Sequence, residues 1–283
     1  SGAEVVKGNG KSEKNMWTTL QHAGVLFPEE YKPHNVKMLY DGKPVDLTPE
    51  QEEVATFYAA MYKTDYLAFS WGFQKDPATG ADIGKRRFKE NFWGDFKDFL
   101  GKKHLIKDFN KCDFGPIHEH IEQQSELKKA MDKETKLKLK QQKEKIEEPF
   151  KIALVDGKPQ QVGNFRVEPP GLFRGRGEHP KMGKVKKRIM PEDITINIGA
   201  EAVIPKCPIQ GHDWGRVICD RTVTWLAGWK DTINGKDHKY VWLAANSDIK
   251  GNADREKYDK ARKLKGENIE KVRNLYSKNM KKD

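Results

Sequence analysis

A run rich in proline, glycine and arginine offers the clearest chemistry in this sequence. It extends from Glu168 to Gly183 and reads EPPGLFRGRGEHPKMG. Arg174 and Arg176 flank Gly175; glycine lets a backbone approach a large ligand while guanidinium groups grip anionic oxygens. In an extended loop, residues two apart point to the same side. The run therefore predicts contact with a polyanion, for which a phosphodiester backbone is the obvious choice. The alternative is two surface arginines on a turn.

The residues after this run are almost purely basic. Further candidate DNA-binding cations in the region are Lys181, Lys186, Lys187 and Arg188. His179 lies among them with no partner carboxylate or nucleophile evident in the motif, and a lone histidine of this kind is usually not catalytic. We therefore predict a positional or DNA-facing role for His179.

The bulk composition of the 283-residue chain agrees with a polyanionic partner. The formal net charge is +11, and 36% of the residues are hydrophobic, including seven tryptophans, which is typical of a chain that folds around a core. Excess positive charge favours nucleic acid among the polyanions. A merely soluble basic protein is the alternative.

Other chemistries lack their sequence motifs. The three cysteines include no C-x-x-C pair, and their odd number is typical of a reducing compartment. Phosphate-loop, H-E-x-x-H, G-x-S-x-G and EF-hand spacings do not occur. No apolar run approaches the ~20 residues of a membrane-spanning helix. We expect no metal, no cofactor and no membrane partner, and a cytosolic or nuclear location.

Turn signals predict three β-hairpins. Two of them turn at Asp41-Gly42 and Asp156-Gly157, and the third pairs residues 222–229 with 238–244. Trp225 and Trp229 alternate along one strand face of the third hairpin, which predicts that both belong to the core.

Helical signals fall in four places. Thr48, Pro49 and Gln51 predict a helix that begins with a capping box, and phenylalanines at positions 88, 92, 96 and 99 predict a core-facing helix. Residues 117–148 predict two lysine-rich helices, the second capped by Asp132. Their apolar stripe is too thin for a core, so they should project from the body; a solvated charged face is the alternative. A basic helix is predicted at 254–283.

The motifs resemble those of eukaryotic type IB DNA topoisomerases, the topoisomerase I family. The likeness extends along nearly the whole chain after residues 1–15, which are expected to form a loose, flexible polar arm, and residues 67–86 look like an insertion. The quoted matches, besides EPPGLFRGRG-x-HPKMG, are RIMPEDITIN at 188–197, YDGK at 40–43, EEVATF at 52–57, KCDF at 111–114 and VTWL at 223–226.

The resemblance implies an α+β cap lobe. In such a lobe, mixed β-hairpins and barrel-like sheets pack with helices, and two basic helices protrude. It implies a core subdomain I-like part at 16–34 and 131–245 and a subdomain II-like part at 35–130. Residues 246–283 would form the helical start of the connection to the missing catalytic lobe.

The resemblance also assigns roles at the DNA surface. Arg176 would reach the minor groove beside the cleavage site, and Lys239, Tyr240 and Lys250 match DNA-contacting positions. Trp242 stands where the family has a methionine, so the local fit there is open. Residues matching the border of the camptothecin-type poison site are Asn164, Phe173, Gly175 and Arg176, and residues matching the lip that meets the opposite lobe are His179, Pro180 and Lys181.

The family's catalytic groups are expected to lie outside this chain. The family cleaves with a tyrosine near its C-terminus, and two arginines, a lysine and a histidine stabilise the phosphorane without metal. None of the eight tyrosines here resembles that context. We expect a nuclear fragment that clamps duplex DNA but is itself inactive. Its parent would relax DNA through a transient 3′-phosphotyrosine, with the catalytic lobe in the same chain or in a second subunit. A complete non-enzymatic duplex-DNA-binding protein is the main alternative, and an RNA-binding scaffold is a weaker one.

Overall fold

The computed structural model describes residues 6–7, 15–64, 66–67, 83–176 and 179–279, and this part contains five α-helices and thirteen strands. Helices and sheets are mixed, which confirms the α+β class. The helices are α1 (Pro49–Ala59), α2 (Ile83–Leu100), α3 (Gly115–Ala130), α4 (Lys133–Glu147) and α5 (Asp248–Asn279). The strands are β1 (Val6–Lys7), β2 (Leu20–Gln21), β3 (Met38–Tyr40), β4 (Lys43–Val45), β5 (Cys112–Asp113), β6 (Ile152–Val155), β7 (Lys158–Gln161), β8 (Gly171–Leu172), β9 (Val185–Lys186), β10 (Thr195–Asn197), β11 (Arg216–Cys219), β12 (Trp225–Lys230) and β13 (His238–Trp242).

The strands form four small sheets. The largest has the order β1-β11-β10-β12-β13, and within it β1 and β10 run parallel to β11 while the other pairs are antiparallel. The sheets β2-β6-β7, β4-β3-β5 and β8-β9 are antiparallel. A bridge between Val162 and Leu243 and a hydrogen bond from Gly199 N to Leu20 O (2.8 Å) join the first two sheets. Residues of both sheets contribute to one buried apolar cluster.

The buried apolar residues fall into two clusters. The first core lies between the five-stranded sheet and β2-β6-β7, and the second lies among α1, α2, α3 and the β4-β3-β5 sheet. Leu172, Met182 and Val185 pack into the second core although the surrounding chain belongs to the first. The division into subdomain I-like and II-like parts stays a prediction. Large members of the first core are Trp17, Leu20, Ile194, Ile196, Ile198 and Leu226, and those of the second are Met38, Phe88, Phe92, Phe96, Phe114 and Ile117.

The local signals for α1 and for the first hairpin are confirmed. Thr48 Oγ1 accepts the Gln51 N–H (3.4 Å) and Gln51 Oε1 accepts the Thr48 N–H (2.9 Å), which is the predicted capping box. Asp41 and Gly42 adopt φ values of 53° and 75°, as a tight hairpin turn requires. Helix α1 ends at Ala59.

Helices α3 and α4 project from the body. Every residue from 123 to 146 is exposed, including apolar Leu127 and Ile146, and this stretch carries eight lysines against four acidic residues. Asp132 caps α4 by accepting the Thr135 N–H (2.9 Å), as predicted. The stretch has no core of its own. Contacts with solvent and the ion pairs along the two helices therefore stabilise it.

Three expectations need correction. Trp229 is buried but Trp225 is only half-buried, because a β-bulge between Trp225 and Ala227 shifts the register of β12. Helix α5 begins at Asp248, not at residue 254. Within the polar arm, β1 pairs with β11. Most of the suggested insertion at 67–86 lies outside the described residues.

A short segment at residues 28–35 carries the chain from the first core to the second. Glu52 of α1 holds it by accepting three hydrogen bonds, from Tyr31 OH (2.7 Å), His34 N (2.8 Å) and Asn35 N (3.1 Å). Arg188 adds a second link, since its guanidinium donates to Glu29 O (2.9 Å) and to Glu53 (2.6 Å). These contacts fix the two cores relative to each other.

Candidate nucleic-acid interface

The arginine-bearing loop is anchored at its base. Strands β8 and β9 pair there, and Phe173 N donates to Lys184 O (2.8 Å) while Gly183 N donates to Phe173 O (2.7 Å). Gly183 has a φ of 85°, and a Cβ at this position would lie 2.2 Å from Phe88 O. Only glycine fits so close to α2. The loop therefore leaves the second core from a rigid base.

The tip of the loop presents Arg174 and Arg176 to solvent. Both side chains are exposed, and among the residues that the structure describes neither has a carboxylate partner. Gly175 between them adopts a φ of 66°, so the backbone is not the extended segment that predicted both side chains on one side. The correction follows from the left-handed conformation of Gly175, which interrupts the alternation of an extended chain.

His179 packs against the loop tip. Its ring contacts Phe173 edge to face, with centroids 4.9 Å apart, and its Nδ1 accepts the Lys181 N–H (3.1 Å). A Cβ on Gly175 would lie 2.6 Å from the Cβ of His179. These contacts pack His179 against the tip, and its predicted positional or DNA-facing role stays a prediction. Gly177 and Glu178, between the arginines and His179, lie outside the described residues.

The predicted lip is held by two neighbouring elements. Asn91 of α2 donates through Nδ2 to Pro180 O (2.9 Å) and Met182 O (2.7 Å). Lys181 Nζ donates to Ile233 O (3.0 Å) and Asn234 Oδ1 (2.9 Å) in the β12–β13 loop. The Lys181 ammonium is therefore occupied by neutral oxygens within this chain.

Two predicted DNA-binding lysines meet at one carboxylate. Glu168 accepts from Lys186 Nζ (3.1 Å) and from Lys239 Nζ, and Lys239 Nζ also lies 2.8 Å from Asp231. Burial opposes the ionisation of Glu168, but the hydrogen bonds from Lys239 and Lys186 outweigh it and hold the pKa of this carboxyl below its usual value. Burial likewise opposes the charge of Lys239, but Asp231 and Glu168 raise its pKa. Glu168, Asp231 and Lys239 are therefore charged at neutral pH.

The remaining cations of the basic stretch differ in exposure. Lys187 is exposed, and among the described residues it has no carboxylate partner. Lys184 Nζ pairs with Asp95 (2.6 Å), which also accepts the Val185 N–H (2.8 Å). Arg188 is held between Glu53 and Glu29 O, so it links the two cores. Only part of this basic stretch is thus available to a ligand.

The other positions assigned by resemblance lie outside the loop. Tyr240 of β13 is partly exposed and contacts Trp225 (5.2 Å between centroids) and Trp242 (5.6 Å), and a Cβ on Gly228 would lie 2.7 Å from its ring. Asn164 is exposed, and its Oδ1 accepts the Arg166 N–H (3.2 Å).

Lys250 lies in the first turn of α5, and its side chain is outside the described residues. In the part of the chain that is described, no three histidine, cysteine or acidic side chains cluster as a metal site requires. None of the described helices has the length and apolar character needed to cross a bilayer.

The carboxylates that hold the lysines were not anticipated from the sequence. Glu168 heads the loop motif, and that position was the one local signal. Asp95 lies in α2, 89 residues from Lys184, and nothing local marks it. Asp231 directly follows β12 and reaches Lys239 across the β12–β13 turn.

Comparison with known proteins now adds to this geometry. The profile of the family described as "Eukaryotic DNA topoisomerase I, DNA binding fragment" matches residues 15–243. The chain is 55% identical to DNA topoisomerase 1 beta of Arabidopsis thaliana, over 95% of this chain and 28% of that protein. It is 50% identical to DNA topoisomerase 1 of Candidozyma auris, over 94% of this chain and 34% of that protein. It is 41% identical to DNA topoisomerase 1 of Homo sapiens, over 94% of this chain and 33% of that protein.

The chain thus spans about a third of the length of these relatives. The matched region covers both cores, the arginine-bearing loop and the β12–β13 hairpin. This chain belongs to the eukaryotic DNA topoisomerase I family, within the segment described as its DNA-binding fragment.

Proposed function

We propose that this chain is the DNA-binding cap lobe of a type IB DNA topoisomerase. The single observation that carries the proposal is the loop tip, where Arg174 and Arg176 stand exposed and unpaired among the described residues, above a base fixed in the second core. A guanidinium on a rigid base binds phosphate oxygens bidentately with little ordering cost. The loop is therefore suited to gripping a phosphodiester backbone.

Binding through phosphates would be largely independent of base sequence. Arg174, Arg176 and Lys187 are proposed as direct phosphate contacts, with Arg176 entering the minor groove. Lys181, Lys186, Lys239, Tyr240 and Lys250 are proposed as further contacts along the duplex. Phosphate contacts fix the position of a protein on DNA and carry no base information themselves.

The proposed role of the chain in the reaction is to hold DNA while a catalytic lobe cleaves it. The parent would open one strand through a 3′-phosphotyrosine, permit rotation and reseal the strand. Burial raises the pKa of the phenols of Tyr31, Tyr58 and Tyr62, which is opposite to what a tyrosine nucleophile needs. These three tyrosines are thus poor candidates for the nucleophile, and none of the eight tyrosines lies in the sequence context of the family's nucleophile. We therefore propose an inactive isolated chain whose partners are duplex DNA and the catalytic lobe. A chromosomal DNA substrate favours a nuclear location.

The lip and the poison-bordering positions complete the proposal. Pro180 and Lys181 would meet the opposite lobe when the clamp closes, and His179 would set the height of that lip. Phe173 and Gly175 lie beside the arginine tip, so an intercalating poison of the camptothecin type would rest near them.

A salt titration of duplex binding tests the proposal. Binding of the unaltered chain to a labelled duplex of mixed sequence is followed by fluorescence anisotropy over a series of salt concentrations. Each phosphate contact should contribute about −0.9 to the slope of log K against log salt. We expect a slope that corresponds to several such contacts. The chain should bind an unrelated duplex with equal affinity and single-stranded RNA more weakly. A slope of zero would sink the proposal.

A further inference from the structure

The cations of the interface fall into two groups with different surroundings. Arg174, Arg176 and Lys187 are exposed and have no carboxylate partner in the described part of the chain. Lys186 and Lys239 share Glu168, and their side chains are only 22% and 37% exposed, against 27% for Glu168. A partly buried, shared pair is screened less by salt than a surface pair. The second group is therefore neutralised inside the chain.

The shared carboxylate of Glu168 resembles a phosphate in the hydrogen-bond acceptors that it presents. A carboxylate presents two anionic oxygens to two donors, as the two free oxygens of a phosphodiester do. Glu168 uses one oxygen for Lys186 and the other for Lys239. Asp231 supports Lys239 from the other side, and its carboxylate is fixed by the backbone N–H groups of Ile233 (2.6 Å) and Asn234 (2.9 Å). Glu168 accepts no backbone N–H among its hydrogen bonds in the described residues. It is therefore the carboxylate that a phosphate can replace at the two lysines.

We infer that Glu168 is an internal counter-anion, which occupies the ends of Lys186 and Lys239 in place of a phosphate and thereby limits how tightly this surface holds DNA. The inference rests on the proposed duplex binding and adds the residue that sets its strength. The two lysines reach the DNA backbone only when a phosphate replaces Glu168. An enzyme that must let DNA rotate benefits from a DNA affinity below the highest value that its surface could reach.

Removing the charge of Glu168 should strengthen binding. In Glu168→Gln, Lys186 loses its carboxylate partner and Lys239 keeps only Asp231, so both lysines contact phosphate more readily. Each charged hydrogen bond gained is worth about 1.5–3 kcal/mol, which corresponds to roughly tenfold or more in affinity. The salt slope should steepen by about 0.9 for each lysine that engages. Glu201→Gln is the matched control, because it removes the same charge at an exposed residue that, among the described residues, forms no ion pair with Lys186 or Lys239.

The anisotropy titration is run on the unaltered chain, Glu168→Gln and Glu201→Gln. Tighter binding and a steeper slope for Glu168→Gln alone are expected. If Glu168→Gln follows Glu201→Gln, or binds more weakly with an unchanged slope, Glu168 merely positions its neighbours and the inference is wrong. That failure differs from failure of the proposed function, in which the unaltered chain itself shows no salt-dependent binding.

A second measurement uses the unaltered chain, in case Glu168→Gln does not fold. The carboxyl carbons of Glu168 and Glu201 are titrated by NMR with and without saturating duplex. If phosphate displaces Glu168 from its lysines, the pKa of Glu168 rises on DNA binding by more than that of Glu201. An equal change at both residues overturns the inference.

Discussion

Gly175 lies directly against His179, so that a methyl group on Gly175 would stand 2.6 Å from the Cβ of His179. Gly175 also adopts a φ of 66°, which side-chain-bearing residues rarely tolerate. The contact closes the tip of the loop below the two arginines. The positions of both guanidinium groups therefore depend on Gly175 having no side chain.

Gly175→Ala should therefore displace the loop tip. We expect a loss of roughly 1–3 kcal/mol from backbone strain and contact with His179, and weaker duplex binding. Gly94→Ala is the control, because Gly94 lies within α2 with nothing within 4 Å of its added Cβ. That change should stabilise the chain by up to about 1 kcal/mol. Urea unfolding and duplex anisotropy measure both variants, and equal behaviour of the two would refute the role of the Gly175 contact.

The Arg188–Glu53 pair should contribute measurably to stability. The two side chains are 25% and 15% exposed and link the segment at 28–35 to α1. Arg188→Met should cost about 2–3 kcal/mol, because it leaves Glu53 without its charged donor. A double-mutant cycle with Glu53→Gln, followed by urea unfolding, gives the coupling energy.

The exposed pair Lys37–Asp46 provides the comparison for that cycle. Its side chains are 52% and 87% exposed, so its coupling should fall within about 0–1 kcal/mol. Coupling of the Arg188 pair no larger than this would mean that Arg188 does not hold the two cores together.

Protonation of His34 should destabilise the chain in mild acid. His34 Nδ1 accepts the Val36 N–H (3.0 Å), and its Nε2 lies 2.9 Å from Thr56 Oγ1, so a proton on Nδ1 would face another donor. Burial lowers the pKa of His34, Glu52 raises it, and nearby His120 lowers it, with a net value below the ordinary 6.5. The groups facing His34 are thus Glu52 and His120, together with Tyr31.

The sign of the pH effect follows from linkage. The unfolded chain binds more protons than the folded chain between the lowered pKa and 6.5, so the contribution is complete above 6.5 and is lost as pH falls below it. The slope for one group is at most about 1.4 kcal/mol per pH unit. His34→Gln should reduce the pH dependence of the free energy of unfolding in this window. Part of that dependence should remain, because burial also lowers the pKa of His22. An unchanged profile would contradict this account of His34.

The isolated chain should form no covalent DNA adduct. Tyr58 is buried, and burial raises its phenol pKa, as it does for Tyr31 and Tyr62. A nicked duplex incubated with the purified chain and analysed under denaturing conditions should show free DNA only, whereas a full-length topoisomerase of the family run beside it should be trapped. A reproducible adduct with the chain alone would overturn the assignment of catalysis to the other lobe.

Local features could be predicted from the sequence because neighbouring residues determine them. The capping box at Thr48, the turn at Asp41-Gly42 and the cap at Asp132 each depend on residues within three positions. The two arginines were likewise visible in their motif. The left-handed Gly175 was not, since the same residues also suit an extended loop.

Long-range pairs escaped prediction for a physical reason. Glu168 and Lys239 are 71 residues apart, and their contact arises only when the β12–β13 hairpin packs beside the base of the loop. Charge along the sequence suggested a uniformly basic surface. The folded chain instead neutralises several of those lysines with carboxylates from other elements.

The claim that the loop tip grips DNA is tested most directly by removing its two charges. Arg174→Ala/Arg176→Ala is compared with Lys102→Ala/Lys103→Ala, which removes two exposed charges at a position remote from the loop in sequence. In a salt series on a labelled duplex, the arginine variant should bind roughly tenfold or more weakly, with a slope reduced by about 1.8 for two lost phosphate contacts. The lysine variant should keep the slope of the unaltered chain. Equal slopes for the two variants would contradict the account.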